Sequence, residues 1–246
     1  MEDILLYVAI GFAAQMIDGA IGMAYGVTAT SVLLSAGVPP ATASACVHAA
    51  ETFTTAASGT AHWKLGNVDR TLLWRLAVPG ALGGAIGAYA LSEFPGDTLK
   101  PYISIYLLLL GLVIIWKALV ARPPASAKPR SLVPLGFFGG ILDAIGGGGW
   151  GPIVTSSLLG QGATPRYAIG SVNLAEFFVT LTISATFFVT VGLSLWPIIA
   201  GLIVGGIIAA PFAALAAKYI PAKVLMLAVG SVVVALSLHT LVKTFI

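Results

Sequence analysis

The stretch DGAIGMAYG at residues 18–26 returns 125 residues later as DAIGGGGWG at residues 143–151. Around these two stretches, residues 11–55 align with residues 136–180 without a gap, and 17 of the 45 aligned positions are identical. A chain of this composition would match itself by chance at about 4 of 45 positions, so the duplication is real. We therefore interpret the chain as two homologous halves.

The composition is that of a membrane protein. Charged residues make up 9% of the chain and hydrophobic residues 58%, whereas soluble domains carry about 25% charged residues. A span of a bilayer takes about 20 apolar residues. We therefore predict an all-α polytopic protein of the plasma (inner) membrane, in contact with the lipid bilayer. Six clear spans are predicted, at residues 40–62, 71–92, 99–120, 165–191, 195–217 and 223–245.

Several functional classes are excluded by what the sequence lacks. The single cysteine, Cys46, excludes a disulfide within the chain and a cysteine metal cluster. The sequence has no P-loop, catalytic triad or metal-ligand spacing, so we expect no enzyme, no cofactor and no metal site. The net charge of +3 is mostly an orientation signal in a membrane chain, so no nucleic-acid partner is predicted. The start, Met1-Glu2-Asp3, lacks the basic segment of a cleaved signal peptide.

Two further apolar stretches, at residues 4–36 and 131–160, are too long for one span and are interrupted by glycine. The run Gly146-Gly147-Gly148-Gly149 is unfavourable in a helix, because each glycine costs about 1 kcal/mol relative to alanine. Pro152 suits the first turn of a new helix. Each stretch is therefore predicted to be a hairpin of two half-helices. Matched breaks in duplicated halves are typical of secondary transporters and indicate the binding site.

The distribution of Lys and Arg favours hairpins that return to their starting side. If each broken stretch crosses the membrane, the halves are parallel and the basic residues divide 8 to 4; if each turns back, the halves are inverted and they divide 10 to 2. The positive-inside rule prefers the second arrangement. We therefore predict inverted repeats at 1–120 and 131–246, a cytoplasmic linker at 121–130, and both termini outside. The ten inside residues are Lys64, Arg70, Arg75, Lys117, Arg122, Lys128, Arg130, Arg166, Lys218 and Lys223, and the two outside are Lys100 and Lys243.

Over essentially its whole length the chain resembles the TauE/SafE family of sulfite and organosulfonate exporters. The resemblance implies a duplicated membrane fold and a secondary transporter, a probable exporter, of a small sulfur oxyanion such as sulfite or an organosulfonate. The matching features are the Asp-x-x-x-Gly-x-x-x-Gly patterns at Asp18/Gly22/Gly26 and Asp143/Gly147/Gly151, and the Gly-x-x-Pro turns at Gly37/Pro40 and Gly162/Pro165.

Acidic residues inside predicted spans are costly and are therefore functional candidates. His48 and Glu51 lie at i and i+3 and project from one helix face, as do their counterparts Asn173 and Glu176. Two carboxylates in a low-dielectric site can share a proton and carry it during transport. We therefore predict that Glu51 and Glu176 couple or gate transport, with the proton as a candidate coupling ion. The alternative is that each glutamate accepts hydrogen bonds from the broken backbone and holds its hairpin in place.

Asp18 and Asp143 immediately precede the two breaks. An aspartate in this position can accept N–H groups freed by unwinding and cap the next half-helix. We favour this structural role over direct contact with the substrate, because a carboxylate repels an anion.

An anion would be attracted here mainly by backbone dipoles, because no Lys or Arg lies in the centre of a predicted span. The N-termini of the second half-helices offer free N–H groups, and glycine lets a ligand approach the backbone closely. For Tyr25 and Trp150, packing is the slightly favoured alternative; for His48, an interhelical hydrogen bond is equally plausible. The predicted substrate-binding residues are Gly22, Tyr25, Gly26, Thr30, Ser31, His48, Gly148, Gly149, Trp150, Gly151, Thr155, Ser156 and Asn173.

Two other functional classes stay open on the sequence alone. A proton- or Na⁺-coupled cation exchanger would use the four central acids, Asp18, Glu51, Asp143 and Glu176, as ligands. A membrane scaffold or enzyme is less favoured, because it would not need two matched breaks. A homodimer is compatible with the sequence.

Overall fold

The structure is a computed structural model and describes residues 2–21, 23–120, 131–192, 196–219 and 221–246. In these residues the prediction of an all-helical protein is confirmed, and there is no strand. The predicted linker at 121–130 and Gly22 lie outside the described residues. The helices are α1 (Glu2–Ile21), α2 (Tyr25–Ser35), α3 (Pro40–Lys64), α4 (Arg70–Glu93), α5 (Gly96–Leu119), α6 (Leu132–Gly146), α7 (Ser156–Gly160), α8 (Pro165–Thr190), α9 (Trp196–Tyr219) and α10 (Ala222–Phe245), with a π-helical turn at Gly151–Thr155 before α7.

Four of these helices are long and apolar enough to cross a membrane: α4, α5, α8 and residues Lys223–Phe245 of α10. Shorter apolar helical segments occur at Ile4–Asp18, Leu132–Gly146 and Trp196–Ala209. Many large apolar side chains on the outside are exposed, among them Leu5, Phe138 and Val189. A soluble monomer rarely exposes so much apolar surface, so these side chains suit contact with lipid.

Proline and aspartate set several of the helix starts. Pro40 and Pro165 occupy the first turns of α3 and α8, where the missing N–H of proline leaves no hydrogen bond unmade. The carboxylate of Asp69 accepts the backbone N–H groups of Thr71 (2.7 Å) and Leu72 (3.2 Å) and caps α4. These residues therefore fix where α3, α4 and α8 begin.

Helices of the first half pack mainly against helices of the second. The most extensive contacts join α1 with α9, α4 with α6, α5 with α10, α3 with α8 and α4 with α8. Glycines allow the closest approaches: Gly136 and Gly140 of α6 lie against Leu76 and Gly80 of α4, and Gly205 of α9 lies against α1. Small residues of this kind bring membrane helices together through close van der Waals packing.

Helices α3 and α8 cross in antiparallel directions at the centre of the molecule. Residues later in α3 meet residues earlier in α8, which only antiparallel helices allow. The bonded pairs are Thr52 with Ser184 (3.3 Å), Thr55 with Thr180 (3.5 Å) and Ser58 with Asn173 (3.1 Å).

The start of α8 lies at the same end of the molecule as the α3–α4 connection. The guanidinium of Arg166 donates to the carbonyl of Leu65 (3.0 Å) and to Oδ1 of Asn67 (2.5 Å). At the opposite end, the hydroxyls of Ser92 and Thr190, near the ends of α4 and α8, lie 2.8 Å apart.

Candidate functional site

The two glycine-rich breaks lie directly against each other. A Cβ atom added at Gly26 would lie 2.7 Å from Cα of Gly148 and 2.9 Å from the carbonyl oxygen of Gly147. The hydroxyl of Thr30 donates to that same carbonyl oxygen. Gly147 and Gly148 have φ angles of 65° and 151°, which side chains disfavour. Glycine is therefore required here both for the backbone conformation and for the contact between the breaks.

Each aspartate before a break accepts the first N–H group after it. Oδ1 of Asp18 accepts from the backbone of Tyr25 (3.3 Å), and Oδ1 of Asp143 accepts from the backbone of Trp150 (2.9 Å). Both bonds span seven residues. This is the capping geometry that the sequence favoured for these two carboxylates.

The two aromatic residues after the breaks are packed between helices. Tyr25 is 2% exposed and Trp150 is 0% exposed. The hydroxyl of Tyr25 donates to the carbonyl of Leu202 in α9, and the indole N–H of Trp150 donates to the carbonyl of Val172 in α8, each at 3.3 Å. In this conformation each ring packs its hairpin against a neighbouring helix, α9 for Tyr25 and α8 for Trp150.

His48 contacts the second break. Its Nδ1 lies 2.8 Å from the carbonyl oxygen of Ser44, and its Nε2 lies 3.2 Å from Oδ2 of Asp143. The side chains of His48 and Asp143 are 0% and 2% exposed. The hydroxyl of Ser44 donates to the carbonyl of Ala144 at 2.6 Å. Two polar residues one turn apart on α3 therefore hold the end of α6, which is the interhelical alternative for His48.

Glu51 and Glu176 lie within electrostatic reach of each other and of both aspartates that precede the breaks. Glu51 interacts with Asp18, Asp143 and Glu176, and Glu176 interacts with both aspartates. Glu51 is 5% exposed, and its Oε2 has no hydrogen-bond partner among the described residues. Glu176 is partly exposed. Repulsion among such groups in a low dielectric is relieved when protons or a cation bind.

Further hydroxyl-bearing residues and glycines lie in or just after the two breaks. Thr28 and Ser31 in α2 are buried, and their hydroxyl oxygens have no partner in the described part of the chain. Thr155 is also buried, Ser156 is half-buried, and Gly149 and Gly151 adjoin Tyr106 and Met23.

Asn173, the counterpart of His48, bonds to residues of α8 and α3 and not to a residue of the breaks. Its Nδ2 donates to the carbonyl of Ile169 (3.0 Å), and its Oδ1 accepts from Ser58 (3.1 Å). Neither bond reaches Asp18, which precedes the first break. The two halves therefore differ at this position.

Three residues that hold the second hairpin were not singled out from the sequence. The hydroxyl of Tyr106 donates to the carbonyl of Gly148 (3.2 Å), Lys117 Nζ donates to the carbonyl of Pro152 (3.0 Å), and Ser44 holds Ala144. Tyr106 could have been found as a hydroxyl within an otherwise apolar span. The position of Lys117 near a helix end gave no comparable signal.

Large grooves lie on the outer faces of the helices, away from the breaks. One groove of about 350 Å³ is lined by residues of the second hairpin such as Pro134 and Phe138, and another of about 360 Å³ runs along α4 and α8 beside Trp74 and Phe178. Both linings are mainly apolar. At Gly26 and Gly148, by contrast, the breaks touch, so this conformation is closed between the two tips.

Comparison with known proteins gives two matches. The family profile described as "Sulfite exporter TauE/SafE" matches residues 7–240. The chain is also similar to the "Probable membrane transporter protein YtnM" of Bacillus subtilis (strain 168), with 42% identity over 255 residues that cover 100% of this chain and 85% of that protein. No solved structure matches.

Proposed function

Since the chain belongs to the sulfite exporter TauE/SafE family and is a multi-pass membrane transporter and not an enzyme, we propose that it exports sulfite or an organosulfonate by alternating access between two inverted halves. The family implies a small anionic substrate. The observation that carries the proposal is the contact of the two breaks at Gly26 and Gly148. Broken backbone at membrane depth is tolerated where it is buried in protein or lines a water-filled cavity, and matched breaks in two halves are the feature that marks a transporter's binding site.

The helix pairings support the inverted arrangement. α1 packs on α9 while α6 packs on α4. When the offset of 125 residues is continued along the chain, α6 corresponds to α1 and α9 to α4. The pairs α3–α8 and α5–α10 each join two corresponding helices. Such reciprocal pairing is expected of two halves related by a two-fold axis, and the antiparallel crossing of α3 and α8 fits an axis in the membrane plane.

The charged ends of the helices support an orientation. The bonds from Arg166 to Leu65 and Asn67 bring Arg166 to the end that carries Lys64 and Arg70. In the inverted arrangement this basic end is cytoplasmic under the positive-inside rule. The linker at 121–130 then lies in the cytoplasm and both termini outside the plasma (inner) membrane.

We place the anion between the two breaks once they separate. The partial positive charge at the starts of the second half-helices and the imidazole of His48 would attract it, and the unpaired hydroxyls of Thr28 and Ser31 could donate to its oxygens. The partial positive charge at a helix N-terminus favours an anion there.

Glu51 and Glu176 are suited to carry protons toward this site from the two faces. Each lies four residues before the threonine at which α3 and α8 cross, and the helices are antiparallel. At 1.5 Å per residue the two positions are offset by about 12 Å along the helices, one on either side of the crossing. A proton could therefore reach the centre through Glu51 from one side and through Glu176 from the other.

The cation-exchange alternative is favoured by one observation, the clustering of the four acids. In the described conformation, however, no three acidic, histidine or cysteine side chains among the described residues come together as a site for a metal ion. Cation exchange would therefore require the acids to converge in another conformation.

The test is uptake of radiolabelled sulfite into proteoliposomes of the purified protein. Sulfate and an organosulfonate serve as competitors, and a pH gradient is imposed in either direction. We expect saturable uptake that the organosulfonate inhibits and that responds to the gradient. Well-folded protein that moves no anion but exchanges Na⁺ or protons would refute the anion proposal and establish the alternative.

A further inference from the structure

We propose that the transported anion replaces Asp143 as the partner of His48, and that Asp143 takes up one proton in the same step. This inference rests on the proposed anion transport and deepens it. It assigns the coupling between anion and proton to a specific pair of buried side chains, with Glu51 and Glu176 as the proton route.

The hydrogen bonds show how many protons the His48–Asp143 pair holds. The carbonyl oxygen of Ser44 can only accept, and the hydroxyl of Ser44 already donates to Ala144, so Nδ1 of His48 must carry a proton. Nε2 faces Oδ2 of Asp143 at 3.2 Å. Two lone pairs would repel at that distance, so one further proton lies between these atoms.

The pair is therefore electrically neutral as a unit. The proton between Nε2 and Oδ2 makes either an imidazolium with a carboxylate or an imidazole with a carboxylic acid, and the total charge is zero in both cases. A neutral, hydrogen-bonded pair is the form that can be buried at least cost. If the two charged side chains were separated, His48 would be an unpaired cation and Asp143 an unpaired anion in the interior.

The exchange balances in charge and in protons. An imidazolium–carboxylate pair plus an anion plus a proton becomes an imidazolium–anion pair plus a carboxylic acid. His48 keeps both of its protons, and the incoming proton is bound to Asp143. The acid form of Asp143 retains an oxygen that can accept the backbone N–H of Trp150, so the cap of the second half-helix survives the step.

The surrounding groups explain why the anion needs His48 and why Asp143 needs the proton. The ionisable groups that face Asp143 are Glu51 from α3, Glu176 from α8 and Tyr106 from α5. In the described residues, the only ion pair made by this group of acids joins Asp143 to His48. An anion entering this acidic region would find His48 as the basic group that is paired with one of the acids, and an Asp143 carboxylate released from His48 would face two other acids.

The same exchange loosens the second hairpin from α3. His48 and Ser44 hold two neighbouring residues at the end of α6, Asp143 and Ala144. Among the described residues the first hairpin has no equivalent connection to α8, since Asn173 bonds to Ser58 and Ile169. Anion binding at His48 would remove one of the two bonds and so favour separation of the breaks, which links binding to the change of access.

The experiment measures protons and sulfite together in proteoliposomes, with a pH-sensitive dye inside and radiolabelled sulfite outside. It compares the parent with the double variant His48→Asn/Asp143→Asn, which keeps an oxygen for the Trp150 N–H and leaves neither member of the pair able to take up a proton. Protons carried by sulfite itself are the same for both proteins. We expect the variant to move about one proton fewer per sulfite, and the matched change Asp97→Asn, at an exposed aspartate, to leave the ratio unaltered.

A second variant tests the anion's partner. His48→Asn should lower sulfite uptake about tenfold or more, because a hydrogen bond to a charged group is lost, whereas His239→Asn, at an exposed histidine, should not. An unchanged proton-to-sulfite ratio in the folded double variant, or unchanged uptake in His48→Asn, would overturn the inference while leaving anion transport intact. A parent that transports no anion would instead refute the proposed function.

A measurement on the parent alone covers the case in which the variants fail to fold. Calorimetric titration of the detergent-purified protein with sulfite, in buffers of different ionisation enthalpy, counts the protons taken up on binding. After subtraction of those that sulfite itself exchanges, about one proton should remain. A remainder of zero would overturn the inference.

Discussion

The hydroxyls of Thr55 and Thr180 lie 3.5 Å apart, and the two residues occupy equivalent positions in the duplicated halves, separated by 125 residues. A residue that contacts its own counterpart lies on the pseudo-symmetry axis relating the halves. This contact therefore locates the axis proposed for the inverted repeats, with Glu51 and Glu176 one helical turn away on either side.

A disulfide should form across this axis. In a Cys46→Ser background, we expect Thr55→Cys with Thr180→Cys to cross-link on oxidation, since the γ atoms lie 3.5 Å apart and need to approach by only about 1.5 Å to reach the S–S bond length. Mass spectrometry of the digested protein would detect the bond. Thr55→Cys with Thr182→Cys is the matched control, because Thr182 lines the outer groove. Equal cross-linking of both pairs would contradict the described crossing.

Single cysteines should report the two faces of the membrane. Leu65 and Ile246 are 67% and 100% exposed and belong to the basic end and the chain terminus. In the Cys46→Ser background, an impermeant maleimide should label Ile246→Cys in intact cells and Leu65→Cys only after permeabilisation. Labelling of both from the same side would refute the proposed orientation.

A side chain added where the two breaks touch should destabilise the fold. Gly148→Ala puts a Cβ onto the backbone of Gly26 at a φ of 151°, so we expect a loss of about 2–4 kcal/mol in the free energy of unfolding. Thermal unfolding in detergent measures the loss. Gly160→Ala serves as control, since nothing lies within 4 Å of its added Cβ. Similar melting temperatures for the two variants would show that the breaks do not touch.

The hydroxyl of Tyr106 should stabilise the second break. Tyr106→Phe removes its bond to the carbonyl of Gly148 and should cost about 1 kcal/mol of stability, with slower sulfite uptake because the break is less well held. Tyr102→Phe, one turn earlier and 67% exposed, should change neither quantity. If the two variants behave alike, the Tyr106 hydroxyl does not hold the break.

The two central glutamates should be needed for the response to pH. We expect Glu51→Gln and Glu176→Gln to keep the fold and to lose most of the stimulation of sulfite uptake by a pH gradient, since glutamine cannot carry a proton. Initial rates would be compared with and without the gradient. Glu93→Gln, at an exposed position in α4, should respond as the parent does. Parent-like transport by both central variants at every pH would refute the coupling role of Glu51 and Glu176.

Local features of the chain were predictable because their causes are local. The glycines and the aspartate before each break are close in sequence, and an unwound segment with a carboxylate cap depends only on those neighbours. The same is true of the helix starts at Pro40 and Pro165, which follow from the geometry of proline.

The partners of the central side chains were not predictable in the same way. Spacing on α3 put His48 beside Glu51, yet His48 bonds to Asp143, 95 residues later. Helical periodicity tells which residues share a face but not which helix that face meets. Tyr106 and Ser44 were missed for the same reason, since each acts on backbone of the second hairpin.

The sequence by itself determined an all-helical membrane transporter and predicted two related halves with a glycine break in each, because composition, repetition and helix-breaking residues are properties of short segments. Only the tertiary structure decided that the two breaks touch and that His48 connects to Asp143 while Asn173 turns away from Asp18. These contacts depend on how whole helices pack across the two halves, where close approach at glycine and the need to pair buried polar groups select one arrangement.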